Sequence, residues 1–236
     1  MRPSSSSSLV SLCLAFSVIG PWPSAFAADA QHPVVVELFQ SQGCNSCPPA
    51  NANLNALSGR ADVLALMFSV TYWDNLGWKD TFGQQKFTDR QWGYARALHS
   101  GNVYTPQVIV NGRVAGVGTE AGEIEGLAAR GERGAGPALA LEGRAVSIGA
   151  GKAPTAGADV WLVRYDPRQL DVEIKRGENA GKTLPHRHIV KELTLVGHWT
   201  GQAEQIDLPS GGDPALANAV LVQTAGEGVI LAAVKG

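Results

Sequence analysis

The chain has 236 residues, of which 44% are hydrophobic and 17% are charged, a composition typical of a folded globular protein and not of a disordered one. Its 19 basic and 21 acidic side chains give a formal net charge of −2, so there is no basic excess to neutralise a phosphate backbone. This balance excludes nucleic acid as an expected partner.

The first 27 residues have the pattern of a signal peptide. Arg2 supplies a positive charge, residues 9–20 form a short apolar stretch, and Ala25 and Ala27 place small residues where a cleavage site requires them. The apolar stretch is shorter than the roughly 20 residues that span a bilayer, and no later segment of the sequence reaches that length. We therefore expect cleavage after Ala27, no membrane insertion of the mature chain, and a periplasmic or secreted protein.

Removal of this peptide discards Cys13 and leaves Cys44 and Cys47 as the only cysteines. An exported compartment allows thiols to oxidise and to remain oxidised. The remaining pair can therefore bridge to itself, stay reduced, bind a metal or bond to another molecule.

Residues 28–130 carry alternating strand and helix patterns. Uniformly apolar runs predict strands at 34–39 and 63–70 that are covered on both faces, as in a parallel sheet. The dipeptide Asn111-Gly112 predicts a hairpin, because both positions of a type I′ turn favour positive φ. The order β-α-β-α-β-β-α is completed by helices predicted at 49–57, 89–99 and 119–130.

The start of the second helix is predicted from a capping pattern. Thr88 and Gln91 have the S/T-x-x-E/Q spacing in which each side chain satisfies a free backbone N–H at a helix N-terminus. We therefore expect this helix to begin at Asp89, directly after a capping Thr88.

Residues 131–137 are rich in glycine and charge and are typical of a linker. Beyond them, residues 138–236 contain short alternating strands, predicted at 159–165, 170–176, 188–199, 203–208, 219–225 and 229–235. Turns that contain glycine and proline separate them, a pattern that favours an antiparallel sandwich or an open barrel. The predicted fold is an α/β domain followed by an all-β, antiparallel sandwich-like domain.

The Cys-x-x-Cys pair lies where the first strand gives way to a helix, a position that suits thiol–disulfide exchange. Free amides and the dipole at a helix start stabilise a thiolate, which is the nucleophile, and the second thiol then resolves the mixed disulfide. Cys44, nearer the exposed turn, is the expected attacking residue and Cys47 the resolving one. Pro48 and Pro49 restrict the backbone before them, so the helix begins at Cys47 or Pro48 and leaves Cys44 one turn outside.

Two other interpretations of the pair stay open on these grounds. One is an inert structural disulfide, although closing so small a loop removes little entropy from the unfolded chain. The other is a metal site, since soft thiolates together with histidine hold copper, and His186, His188 and His198 are the candidate histidines. No zinc ligand spacing or nucleotide-binding glycine pattern is present in the sequence, so no metal or other cofactor is predicted.

Four segments of the sequence together resemble a known family: VVELFQSQGCNSCPPANANL (35–54), YWDNLGWKDTF (72–82), YTPQVIVNGR (104–113) and KRGENAG (175–181). They are similar to the secreted, thioredoxin-like family called Domain of Unknown Function 1223. The resemblance implies a thioredoxin-like fold for the first domain. It also implies that Thr105-Pro106 is the cis-proline element that thioredoxin-like proteins place beside their cysteines.

Glu37 lies inside an apolar strand, seven positions before Cys44, close to where many thioredoxins carry a buried acid. A buried carboxylate has a raised pKa and can relay a proton when Cys47 attacks the mixed disulfide. In the alternative interpretation, Glu37 is solvated or paired and takes no part in exchange.

Residues 71–82 (TYWDNLGWKDTF), which we call the aromatic segment, supply the candidate substrate-binding surface. Trp73, Asp74 and Trp78 are expected to line a groove over the cysteines together with Thr105 and Pro106, since aromatic side chains with charged neighbours suit peptide recognition. In the alternative interpretation, the tryptophans pack the neighbouring helix.

The sequence thus predicts an exported thiol–disulfide oxidoreductase or redox-sensing protein. Its expected partners are protein thiols or disulfides of the cell envelope. The alternative function is that of a non-enzymatic envelope protein that binds copper or a protein partner and contains a structural cysteine pair.

Overall fold

The structure is a computed structural model that describes residues 28–236, so the predicted signal peptide lies outside the described residues. The first part of the chain forms β1 (Val34–Gln40), α1 (Cys47–Leu57), β2 (Val63–Ser69), α2 (Gln85–Ala97), β3 (Gln107–Val110), β4 (Val114–Gly116) and α3 (Glu123–Arg130). The remainder forms β5 (Leu139–Glu142), β6 (Ala145–Ile148), β7 (Ala158–Asp166), β8 (Leu170–Glu173), β9 (Thr183–His186), β10 (Ile189–Trp199), β11 (Glu204–Asp207), β12 (Ala217–Thr224) and β13 (Ile230–Lys235). Among residues 28–236, none of the helices has the length and apolar character needed to cross a bilayer.

One eight-stranded sheet runs through the molecule in the order β13-β12-β7-β10-β2-β1-β3-β4. β1 runs parallel to β2 and antiparallel to β3. β10 joins β2 where Ile189 lies opposite Met67, so strands from both sides of the predicted 131–137 linker share hydrogen bonds. The chain therefore has a mixed α/β fold with a large multi-stranded sheet and few helices, and its division into two domains stays a prediction.

β1 is covered on both faces, which explains its nearly uninterrupted apolar sequence. Val35, Glu37 and Phe39 face α2, whereas Val36 and Leu38 face α1 on the other side of the sheet. Because successive side chains of a strand point to opposite faces, the side chain of Glu37 lies on the face of the sheet that α1 does not cover.

A second layer covers the far half of the large sheet. The three-stranded sheet β11-β6-β5 contributes Val146 and Ile148 to a hydrophobic core that it shares with Val160 of β7 and Val220 of β12. Strands β5, β6 and β9 were not predicted from the sequence, and β9 contains Pro185, which is unusual within a strand.

The hairpin predicted at Asn111-Gly112 is confirmed, with φ values of 49° and 64° between β3 and β4. The predicted start of the second helix is wrong, because α2 begins at Gln85 and Thr88 lies inside it. The hydroxyl of Thr88 accepts a hydrogen bond from the Thr71 amide at 3.0 Å, so this side chain serves a tertiary contact and not a cap.

Candidate active site

Cys44 and Cys47 form a disulfide, with their Cα atoms 5.5 Å apart, between the end of β1 and the start of α1. The helix begins at Cys47 and carries Pro48 and Pro49 in its first turn, where a missing backbone N–H costs no intrahelical hydrogen bond. Cys47 is therefore the first residue of the helix, and its amide donates a hydrogen bond to the carbonyl of Cys44, which precedes it in the loop, at 3.3 Å.

Both cysteine side chains are buried, with Cys44 0% and Cys47 1% exposed. The residues between them, Asn45 and Ser46, are exposed, and the Ser46 hydroxyl lies 3.3 Å from the Cys44 sulfur. The turn is thus at the surface, as the sequence indicates, while the sulfur of Cys44 is not. A partner thiol reaches either sulfur only after the covering groups move.

The loop between β1 and α1, residues 41–46, carries Cys44, and we call it the cysteine loop. It is held by residues 174–182, which we call the clamp segment. Asn179 donates hydrogen bonds from Nδ2 to the carbonyl oxygens of Gln42 and Cys44, both at 2.9 Å. Asn179 itself is fully buried. One amide group from the second half of the chain therefore fixes the backbone on both sides of Gly43.

Two further contacts complete the clamp segment. The carboxylate of Glu178 accepts a hydrogen bond from the amide of Asn45 at 3.2 Å, and Lys182 donates from Nζ to Oδ1 of Asn179 at 2.9 Å. The polar groups of the Asn179 side chain are thus all hydrogen-bonded, as a buried amide requires. Glu178 and Asn179 were not predicted as site residues from the sequence, although both lie in the KRGENAG segment of the family resemblance.

Trp73 joins the cysteine loop to the loop before β3. Its indole N–H donates to the hydroxyl of Thr105 at 2.7 Å, and its Cβ lies 3.5 Å from where a side chain at Gly43 would begin. The Thr105–Pro106 peptide bond is cis, as the resemblance implied. The structure therefore brings Trp73, Thr105 and the loop of Cys44 together.

Trp78 contacts the cysteine loop from the other end of the aromatic segment, donating from Nε1 to Oε1 of Gln42 at 2.9 Å. Tyr72 and Tyr104, which flank Trp73 and Thr105 in sequence, are 37% and 40% exposed. Both tryptophans are half-buried and hydrogen-bonded within the chain, so the tyrosines present more of their surface to a partner.

Asp74 and Asp80 shape the aromatic segment from within. Asp74 accepts a hydrogen bond from the Asp80 amide at 3.0 Å, and Asp80 in turn accepts hydrogen bonds from the amides of Gln42 and Phe82, each at 2.8 Å. Asp80 is only 2% exposed, and this burial raises its pKa to about 6 despite the two amide donors. Among the salt bridges of residues 28–236, none involves Asp80.

Glu37 lies in a different polar network. Its carboxylate forms a buried salt bridge with Arg90 at 2.8 Å and accepts a hydrogen bond from the hydroxyl of Tyr94. Arg90 also donates to Tyr94 and to Gln223, each at 3.0 Å. The structure does not bring Glu37 to the cysteines, and its proton-relay role stays a prediction beside this observed pairing.

The three histidines proposed for copper lie at three separate places. Nδ1 of His186 accepts a hydrogen bond from Asn51 of α1, whereas His188 contacts the carbonyl of Ala65 and His198 contacts Asp159. Burial lowers the pKa of His186 to about 4, which keeps it neutral. Within the described part of the chain, no three His, Cys, Asp or Glu side chains are grouped to hold a metal ion.

Comparison with known proteins shows which family the chain belongs to. Residues 35–223 match the family described as protein of unknown function, DUF1223. The chain belongs to the DUF1223 family. The crystal structure of protein AGR_C_4864 from Agrobacterium tumefaciens resembles this DUF1223 chain with 33% sequence identity and a TM-score of 0.70, covering 89% of this chain and 95% of that one.

A more distant similarity concerns the fold alone. HBP35 of Porphyromonas gingivalis is 12% identical to this DUF1223 chain, with a TM-score of 0.56 over 87% of this chain and 75% of that one. No curated protein matches the chain.

The arrangement in this DUF1223 chain places one disulfide inside a shell of directed hydrogen bonds. Of the residues predicted from the sequence, Trp73, Trp78 and Thr105 contribute to that shell. Asp80 and Asn179 contribute as well, and the sequence analysis did not select them as site residues. Chemically, the N-terminus of α1 favours a thiolate through the helix dipole, although Pro48 and Pro49 supply no backbone N–H there.

Proposed function

We propose that this chain is an exported thiol–disulfide oxidoreductase or redox-sensing protein whose reacting groups are Cys44 and Cys47. The observation that carries the proposal is the position of the disulfide, between a central strand and a helix N-terminus, inside contacts from three separate segments. A purely structural disulfide at this position would stabilise the fold little, because a disulfide across two intervening residues removes little entropy from the unfolded chain.

The proposal includes a thioredoxin-like first domain and a periplasmic or secreted location. The order β1-α1-β2-α2-β3-β4-α3, with β1 parallel to β2 and antiparallel to β3, supports that fold. The location rests on the signal-peptide pattern of the sequence.

In the reducing direction, the thiolate of Cys44 attacks one sulfur of a partner disulfide. A mixed disulfide forms, and the partner's other sulfur leaves as a thiolate. The thiolate of Cys47 then attacks the sulfur of Cys44, which closes the Cys44–Cys47 bond and releases the second partner thiolate. The partner gains two electrons and the chain loses two, and the reverse sequence oxidises a partner dithiol.

In the proposed exchange, the clamp segment releases the cysteine loop so that a partner thiol reaches the sulfurs. The two hydrogen bonds from Asn179 are each worth about 0.5–1.5 kcal/mol net, so breaking these two bonds costs about 1–3 kcal/mol. Opening of this size is compatible with exchange, and it slows attack by any thiol that does not itself contact the clamp segment.

We assign partner binding to the surface beside the cysteine loop. Tyr72 and Tyr104 supply exposed aromatic area, the half-buried Thr105 lies beside them, and the buried Pro106 with its cis peptide bond shapes the backbone of this surface. In this assignment Trp73, Trp78 and Asp74 act by positioning, since their polar atoms are bonded within the chain.

A trapping experiment tests the proposal. The reduced mature protein with Cys47→Ser should form a stable mixed disulfide with oxidised glutathione at Cys44, detectable as a mass increase of one glutathione. The matched control is Cys44→Ser, which should react more slowly at Cys47, because that sulfur resolves the mixed disulfide and does not attack first. Equal, negligible modification of both variants would contradict the proposal and favour a structural disulfide.

A further inference from the structure

A cavity of about 570 Å³ lies at the opposite end of β1 from the disulfide. It is enclosed by the start of β1, the end of α3, the 132–138 segment and β13. Its lining is largely apolar and includes Val34, Ala128, Ala135, Pro137, Leu231 and Ala232. Since β1 has seven residues at about 3.3 Å each, roughly 20 Å separate this cavity from the cysteine loop.

Arg133 places a positive charge between this cavity and a smaller one of about 140 Å³. Its guanidinium donates a hydrogen bond to the carbonyl of Pro33. Across residues 28–236, the salt bridges leave Arg133 without a carboxylate partner. A largely buried cation without a counter-charge is costly, so this position favours an anion that comes from outside the chain.

Two more cations lie around the smaller cavity. Arg113 and Lys152 line it together with Arg133, and both are exposed. Burial, and after it the charge of Arg113, lower the pKa of Arg133 to about 10, so this side chain stays protonated at neutral pH. The three cations add a positive potential that no salt bridge among residues 28–236 offsets. The other charges along the large cavity are the Arg60–Asp62 salt bridge, His32 and the exposed Glu132.

We propose that the two adjacent cavities, which share Arg133 and Pro137 in their linings, bind a small amphiphilic carboxylate. Its apolar chain fills the larger cavity, whose volume is typical of small-molecule sites. Its carboxylate accepts hydrogen bonds from the guanidinium of Arg133, which is suited to bidentate contact, and Arg113 and Lys152 add attraction at the rim. This site is independent of the proposed function of the cysteines.

Isothermal titration calorimetry of the mature protein with octanoate tests the site. The matched ligands are 1-octanol, which lacks the carboxylate, and acetate, which lacks the long apolar chain. Octanoate should bind saturably with one site per chain, and each matched ligand should bind at least ten-fold more weakly. The absence of octanoate binding would overturn the proposal. Equal affinity for octanoate and 1-octanol would also overturn it, because the cations would then contribute nothing.

Variants separate the charges from the cavity itself. Arg133→Met should weaken octanoate binding at least ten-fold, and the exposed pair Arg113→Gln and Lys152→Gln should weaken it about three-fold without affecting folding. Ala128→Phe, which fills the apolar cavity and leaves every cation in place, should abolish binding. Glu132→Gln is the control and should leave the affinity unchanged or increased; full affinity in both Arg133→Met and Ala128→Phe would overturn the assignment.

Discussion

Two buried carboxylates, Glu37 and Asp80, differ in the groups that compensate for their burial. Glu37 is paired with a guanidinium and a phenol inside the sheet core, a network that balances its charge. Asp80 holds the cysteine loop through one amide, has no salt-bridge partner in the described part of the chain, and has its pKa raised to about 6 by burial. The two buried acids therefore differ in their partners: a cation is paired with Glu37, whereas the backbone amides of Gln42 and Phe82 donate to Asp80.

The largest expected effect comes from breaking the paired acid. Glu37→Gln leaves Arg90 buried without its counter-charge, which should lower the free energy of unfolding by about 3–5 kcal/mol in urea denaturation. The rate at which dithiothreitol reduces the disulfide in the folded protein should stay unchanged.

The double variant Glu37→Leu with Arg90→Met is the control, because it removes both charges and should recover much of the lost stability. If Glu37→Gln kept its stability but lost exchange, Glu37 would belong to the cysteine chemistry after all.

A smaller effect is expected from the unpaired acid. The pKa of Asp80 is raised from 3.8 to about 6 in the folded chain, so between these pH values the folded state keeps a proton that the unfolded state has released. The contribution of Asp80 to stability therefore falls as pH rises from about 4 to about 6, by about 1.4 kcal/mol per pKa unit at most.

Asp80→Asn should remove this slope from the pH dependence of the unfolding free energy, measured in urea from pH 4 to pH 7. Asp74→Asn is the control in the same segment and should retain most of the slope, because burial and not the charge of Asp74 is the main cause of the raised pKa of Asp80. An Asp80→Asn protein with the slope intact would show that Asp80 does not titrate in this range.

The smallest expected effect concerns the clamp segment, which holds the carbonyl of Gln42 while Asp80 holds its amide. Asn179→Ala removes two hydrogen bonds to the loop and should speed disulfide reduction by dithiothreitol about ten-fold, which corresponds to about 1.4 kcal/mol. Gln169→Ala, which removes an exposed amide bonded to Asp171, should not change the rate. An unchanged rate in Asn179→Ala would mean that the clamp segment does not limit access.

The local features of the fold could be predicted from the sequence. Strands β1 and β2 follow from their apolar runs, and the Asn111-Gly112 hairpin follows from its turn residues. The start of α2 could not be predicted in this way, because Thr88 satisfies a partner in a neighbouring loop and not its own helix.

The partners within the site could not be predicted, because they are far apart in the chain. Asp80 and Gln42 are separated by 38 residues, and Asn179 and Cys44 by 135. The sequence drew attention to Glu37 because an acid in an apolar strand is conspicuous. Which cation or amide it meets depends on how the sheet and α2 pack, and that information is not local.

The redox behaviour of the Cys44–Cys47 pair tests the central claim most directly. The mature protein is equilibrated in glutathione and dithiothreitol buffers, quenched with acid and alkylated. The fraction with both thiols alkylated is then measured by mass spectrometry. We predict a reversible two-electron transition, identical from the oxidised and the reduced side, with a midpoint above about −300 mV. A pair that stays oxidised in every buffer down to that potential, and is reduced only after the protein unfolds, would contradict the account.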